Sequence, residues 1–293
     1  MVKTVVVSVG NLEVGGTGKT PVTIKVAKIL KNSASKICII SYAKNRKSVD
    51  ESIVISNVLP ELEVLSGKNR KQIFYETLGK NPELVIIDDG FQYFEISNKI
   101  NIVLVDPKTP VNFLIPSGRM RFSISFLKYA DAIIVKKRNT NRNYSRFTNQ
   151  IKKFNKPIYF LEYSPLYLEN VQGEKISLSI VKNKKVLAFC GIAKPLDFID
   201  KVEQLGPQEI YATWYPDHFQ YCEKDAEELQ EIFFRMNLDI AITTEKDLVK
   251  LKNLKIIIPL YGLVIETKIE PDQSFKRWLF EKFFNTKEEL LNY

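Results

Sequence analysis

Residues 5 to 20 read Val-Val-Val-Ser-Val-Gly-Asn-Leu-Glu-Val-Gly-Gly-Thr-Gly-Lys-Thr, an apolar β-branched run that enters a glycine-rich turn ending in Lys19 and Thr20. The run predicts a buried strand. From Pro21 onward Ile24, Ala27 and Leu30, with Val26 and Ile29, recur at helical spacing. A glycine turn between strand and helix aims backbone N–H groups at the helix N-terminus, where anions are favoured. Gly15, Gly16, Thr17 and Gly18 supply the loop, Lys19 can reach the outer phosphates, and the Thr20 hydroxyl can join a Mg²⁺ shell. ATP or GTP is therefore the expected ligand. The usual pattern has a glycine where this chain has Glu13, so the loop is a variant.

The 293 residues are 45% hydrophobic and 26% charged, an ordinary globular balance that argues against wholesale disorder and leaves room for two domains. An excess of 43 basic over 34 acidic side chains leaves +9. That charge favours an anionic partner: a phosphorylated small molecule, an acidic membrane surface or nucleic acid. Cys38, Cys190 and Cys222 are too scattered, and too odd in number, for a disulfide framework or a zinc site. No apolar stretch reaches the ~18 to 20 residues of a spanning helix. A soluble or peripheral protein is expected.

Working outward, short apolar runs at 36–41, 83–87, 100–105 and 132–135 read as buried strands. Helical stretches follow residue 20 and lie near 68–77 and 123–129. This alternation predicts an α/β fold with a mostly parallel sheet of the phosphate-loop NTPase type. A basic, Asn-rich stretch at 136–156 interrupts it, which places a nucleotide-binding domain at 1–150 and a second, smaller α/β lobe at 151–293. In that lobe 157–163 and 166–171 read as a connecting hairpin. Strands at 185–190, 209–213, 240–243 and 255–265 then alternate with helices at 195–205 and 223–236. The terminal helix at 273–284 is expected to pack on the first lobe in preference to lying at a membrane interface.

Four segments carry chemistry. Residues 84–93, Leu-Val-Ile-Ile-Asp-Asp-Gly-Phe-Gln-Tyr, end a buried strand in paired carboxylates. Beside a phosphate loop these are the expected Mg²⁺ partners, Asp88 first and Asp89 second. Arg119 and Arg121, in Pro-Ser-Gly-Arg-Met-Arg at 116–121, suit bidentate contact with phosphate. Val-Asp-Glu at 49–51 includes Asp50, and Tyr-Pro-Asp-His-Phe at 215–219 includes Asp217 and the only histidine, His218.

Taken together, these segments resemble the tetraacyldisaccharide 4′-kinase family, which phosphorylates the lipid A precursor. The loop from Val9 to Pro21, Asp-Asp-Gly-Phe-Gln at 88–92, Ile-Pro-Ser-Gly-Arg-Met-Arg at 115–121, Tyr-Pro-Asp-His at 215–218 and Thr-Glu-Lys-Asp at 244–247 match its motifs in order. The resemblance implies two α/β lobes with the active site in the cleft between them. It also implies ATP and Mg²⁺ as cofactors, and an Asp50–His218 pair that activates the sugar hydroxyl while Lys19 supports transfer. Arg119, Arg121 and Asp217 would contact substrate or phosphate. The implied partners are the lipid A disaccharide precursor and the cytoplasmic leaflet of the inner membrane, with the protein cytoplasmic and peripheral and no nucleic acid expected.

The chain departs from the family pattern at four places. The first strand begins at once where relatives have an apolar N-terminal helix, so another surface would have to meet the membrane. Ser-Tyr-Ala-Lys-Asn at 41–45 replaces Ser-Arg-Gly-Tyr, Phe122 replaces a glutamate, and Tyr93 replaces a histidine. Three rival readings are nucleic-acid binding through the basic stretch at 136–156, which has the charge but no recognised binding motif, a phosphate-loop kinase acting on a soluble metabolite, and a partition-type nucleotide switch. The last would carry a lysine where this chain has Val14.

Overall fold

The computed structural model describes residues 3–14, 18–42, 46–96, 99–107, 114–115, 117–137, 142–217 and 219–292, with the backbone alone for 42, 46–51, 70 and 142–145. The chain forms two compact units, Met1–Glu162 with Thr267–Tyr293, and Tyr163–Glu266.

The first unit opens with β1 (Val5–Asn11), α1 (Lys19–Leu30), β2 (Ile37–Tyr42), α2 (Arg46–Val58), β3 (Glu63–Gly67), α3 (Arg70–Gly79), β4 (Leu84–Asp88) and β5 (Lys99–Val105). A 3₁₀ turn at Ile124–Tyr129, β6 (Ala132–Lys136), α4 (Arg142–Lys152) and the start of β7 (Ile158–Asn170) follow. Its strands run in the order β3-β2-β4-β1-β5-β6-β7, every pair parallel. All seven residues of β1 are buried, as expected for a strand flanked and covered on both faces. Helix α1 buries Val22, Val26, Ala27 and Leu30, the stripe its spacing predicted.

The second unit contains the rest of β7, β8 (Lys175–Ile176), β9 (Lys185–Cys190), α5 (Pro195–Glu203), β10 (Glu209–Trp214), α6 (Glu223–Arg235), β11 (Ile240–Thr244), α7 (Glu245–Leu251) and most of β12 (Leu260–Glu270). Its parallel order is β10-β9-β11-β12, and β8 pairs antiparallel with the end of β7. Alternate residues of β9 serve opposite faces. Val186, Ala188 and Cys190 join Phe198 and Val202 of α5, whereas Leu187 and Phe189 join Leu229 and Phe233 of α6.

Three expectations need correction. The boundary lies at 162/163 and not near 150, because α4 closes the core of the first unit: Phe147 and Ile151, four residues apart, are buried with Val103 and Val135. The hairpin is one long strand, β7, with Pro165 falling between the part that pairs with β6 (158–161) and the part that pairs with β8 (168–169). The terminal helix, α8 (Asp272–Leu291), belongs to the first unit, not the second. The preference for packing on the first lobe is met there. Phe275, Leu279 and Phe283 are fully buried, Phe275 lies 5.0 Å from the ring of Tyr159, and Lys282 reaches Asp131 at 3.0 Å.

Among the described residues no helix is long and apolar enough to cross a membrane. Truncating Phe275 to alanine should cost about 3–5 kcal/mol, the usual penalty for a buried aromatic. Urea denaturation followed by a probe in the first unit measures it, and a loss confined to the second unit would contradict the assignment of α8.

Candidate functional site

Strands β1 and β4 pair from Val5↔Leu84 to Val9↔Asp88, so the glycine turn and the two aspartates leave the sheet side by side at its carboxyl edge. Helix α1 begins at Lys19, capped by Gly18 at φ 92°, a left-handed conformation that glycine adopts without penalty. Gly15, Gly16 and Thr17 lie outside the described residues.

Asp88 is 2% exposed and both its oxygens are engaged. Thr20 Oγ1 donates to Oδ2 at 2.9 Å and Thr23 Oγ1 donates to Oδ1 at 3.0 Å. The two threonines are neighbours on α1 because they are three residues apart. Thr23 escaped the sequence reading, although its position one turn beyond Thr20 was the available signal. The Thr20 hydroxyl gives its proton to Asp88, which leaves its lone pairs for another partner. Ser41 Oγ, on the residue paired with Asp88 in β2, is buried without a hydrogen-bond partner among the described residues. These are hard oxygen donors of the kind Mg²⁺ takes. Among the described residues no group of three or more His, Cys, Asp or Glu forms a closed metal cage. The Thr20 and Ser41 hydroxyls beside the Asp88 carboxylate fit an ion that keeps water and phosphate oxygens.

Asp89 turns the chain away from β4 at φ 59°, a left-handed conformation that aspartate tolerates better than most residues. The Gly90 N–H donates to the Val9 carbonyl at 3.1 Å, closing the turn onto β1. The Asp89 carboxylate receives Arg121 Nη1 at 3.1 and 3.4 Å and lies 3.7 Å from Lys19 Nζ, so it sits between two cations. Gln92 accepts from Arg121 at 3.5 Å.

The arginine segment reaches the site by running antiparallel to residues 12–14. Val14 N–H donates to the Arg119 carbonyl at 2.8 Å, Arg121 N–H donates to the Leu12 carbonyl at 2.7 Å, and Glu13 bridges Met120. The Arg119 guanidinium donates to the Val14 carbonyl at 3.2 Å. Glu13, the variant position, is 3% exposed and takes up this bridge. A strand-like pairing at that point has no need of glycine.

Lys99, at the start of β5, had no sequence signal. Its ammonium donates to the carbonyls of Gly90 at 3.1 Å, Phe91 at 3.4 Å and Tyr93, binding the turn after the aspartates. Burial pushes its pKa down from 10.5 to about 8. Phe91 itself crosses Gly10 so closely that a Cβ there would lie 2.4 Å from Phe91 Cβ.

Asp50 lies on α2, but its side chain is outside the described residues, and so is His218 entirely. The flanks of His218 are well fixed within the second unit. Tyr215 and Phe219 stack at 4.5 Å, Tyr221 meets both rings at 5.1 Å, and the Tyr215 N–H donates to the Cys190 carbonyl at 2.9 Å. Burial, with Asp225 and Glu228 nearby, pushes the Tyr215 hydroxyl up to about 12, so it stays protonated. Asp217 is exposed on the turn.

The Thr-Glu-Lys-Asp motif beneath this turn is a helix cap. Thr244 Oγ1 accepts from the Asp247 N–H at 3.2 Å, and fully buried Asp247 accepts from the Gly191 N–H at 2.9 Å and from Lys250 at 3.1 Å.

A parallel sheet with a glycine-capped helix after its central strand, and a hydroxyl–carboxylate pair at its carboxyl edge, defines an α/β protein of the phosphate-loop type. Residues 1–283 match the family described as LpxK: Tetraacyldisaccharide-1-P 4'-kinase. The chain belongs to this family. A tetraacyldisaccharide 4'-kinase from Desulfatibacillum aliphaticivorans is 31% identical, covering 94% of this chain and 83% of its own length. The Aquifex aeolicus relative of the same name is 28% identical over 95% of this chain and 88% of its own. The crystal structure of Aquifex aeolicus LpxK in complex with ATP superposes with a TM-score of 0.67 at 25% identity, covering 96% of this chain and 89% of that one.

Between about pH 8 and 10.5 the unfolded chain holds the Lys99 proton and the folded chain releases it, so this group makes stability rise with pH. Urea midpoints of the wild type and Lys99→Met at pH 7.5 and 10 test this, with the wild type gaining on the variant at the higher pH. A wild type that loses ground would mean the three carbonyls outweigh burial.

Proposed function

We propose that this protein transfers the γ-phosphoryl group of ATP to the 4′-hydroxyl of a tetraacylated glucosamine disaccharide 1-phosphate, working at the cytoplasmic leaflet of the inner membrane. The observation that carries the reading is the pairing of Asp88 with Thr20 beside the Lys19–Asp89–Arg121 cluster, in a chain of this family.

Lys19 and the N-terminus of α1 bind the phosphates, and Arg121 and Arg119 add positive charge at the same edge. Asp88 orients the Thr20 hydroxyl, and Asp89 holds Lys19 and Arg121 in register. Thr20, with Asp88 behind it, would hold a Mg²⁺ ion, which when bound neutralises phosphate charge. Asp50 and His218 are the groups proposed to take the proton from the attacking hydroxyl. A sugar hydroxyl is a weak nucleophile near neutral pH, and a positioned base typically contributes ~10²- to 10⁴-fold. An aspartate beside an imidazole holds its tautomer and stabilises the imidazolium. Asp217, adjacent to His218, is proposed to contact the substrate.

Incubation with labelled ATP and tetraacyldisaccharide 1-phosphate in detergent should place label on the lipid, and its absence under conditions where ATP binds would refute the reading. His218→Ala and Asp50→Ala should each lower kcat by about 10²-fold or more while ATP affinity holds. Equal loss of nucleotide affinity in both variants would contradict their roles.

A further inference from the structure

The positive charge of this chain is not spread evenly. Residues 108–156 hold twelve Lys and Arg and one acidic residue, Asp131, a balance of +11 that leaves −2 for the remainder. Much of this stretch builds one covering layer of the first unit. Phe122 and Phe126 of the 3₁₀ segment, and Phe147 and Ile151 of α4, pack together on Val103 and Val135. The outward residues Arg146, Lys152 and Lys153 are exposed on and just after α4.

On the 3₁₀ segment that shares this core with α4 lies an open aromatic strip. Phe94 and Tyr129 are 48% and 50% exposed, their rings 6.0 Å apart, and Phe126 lies within 5.9 Å of both. Lys128 Nζ sits 4.8 Å above the Tyr129 ring. Phe94, Ile96, Lys99, Asn101, Phe126 and Tyr129 line an open recess of about 420 Å³. The strip is continuous with the phosphate site, since Phe122 follows Arg121 and lies 5.6 Å from Phe94.

We infer that this layer is a membrane-docking surface, with Phe94 and Tyr129 entering the headgroup region and the lysines meeting anionic lipid phosphates. Half-exposed aromatics flanked by lysines are the chemistry of a lipid–water interface. Each basic residue near an anionic leaflet adds to the attraction. A nucleic-acid surface fits less well, because bases stack on open parallel ring faces. Here the Phe94 ring stands at 88° to Phe122 and 66° to Tyr129, so the rings cover one another. The proposal rests on the lipid-kinase reading above, since an acylated substrate has to be met in its bilayer.

Co-sedimentation of the full chain with phosphatidylglycerol-containing and with purely phosphatidylcholine vesicles tests it. Wild type should bind the anionic vesicles and not the zwitterionic ones. Phe94→Ser with Tyr129→Ser, and Lys152→Glu with Lys153→Glu, should each weaken binding by about tenfold or more. Ile257→Ser, at an 81% exposed residue of the second unit, should bind as wild type. Thermal melts check that both double variants fold, and the exposed lysine pair tests the surface without disturbing the Phe94 ring cluster. The proposal is overturned if wild type ignores anionic vesicles, if neither double variant is weakened, if Ile257→Ser weakens binding equally, or if the chain binds RNA and no vesicle. The expected vesicle pattern without label on lipid in detergent would remove the kinase reading alone.

Discussion

The site depends on one buried carboxylate. Asp88 ends β4, the strand beside β1, and is held there by two hydroxyls from the first turns of α1. A carboxylate so enclosed is costly without partners. Thr20 and Thr23 therefore do two things at once: they satisfy Asp88 and they fix the rotation of α1 about its axis. Because Lys19 precedes Thr20, that rotation also sets where the ammonium and the helix N-terminus point. The neighbouring Asp89 repeats the logic at the surface with cations in place of hydroxyls, tying Lys19 and Arg121 to one turn.

The second unit solves a similar problem in a different way. Its buried carboxylate, Asp247, receives a backbone N–H from Gly191, a side-chain donor from Lys250 and the Thr244 hydroxyl at 2.7 Å. The motif Thr-Glu-Lys-Asp thereby anchors the end of β9 to the start of α7, and the turn carrying Asp217 rests on that end through the Tyr215–Cys190 hydrogen bond. The family motif at 244–247 is, in its contacts, a support for the residues beside it.

Much of this was legible in the residues. The buried strands announced themselves because parallel strands are apolar on both faces, and β9, β10 and β11 were placed to within a residue. Asp88, Asp89 and Arg121 were singled out by chemistry and then found within hydrogen-bonding reach of the loop helix or of one another, while Arg119 meets the Val14 carbonyl. What stayed hidden was of two kinds. Helix α4 shows only Phe147 and Ile151 as an apolar face within a polar, basic stretch, too sparse a signal to distinguish a helix from a linker. Lys99 acts through backbone carbonyls six to nine residues away, a contact that the fold of the turn creates and no motif encodes.

The return of the chain through β12 gives the second unit the topology of a guest inserted into its host. The core of the first unit is completed by Phe275, Leu279 and Phe283 of α8, which follow the inserted stretch in the chain. During synthesis the guest, a continuous stretch, has all its residues before the host does, even though the host began first. The ribosome therefore has to release α8 as far as Phe283 before the earliest strands gain their full cover. Until then the part of the first core that Phe275, Leu279 and Phe283 later cover stays open, which makes the emergence of α8 the step on which completion of the first unit waits.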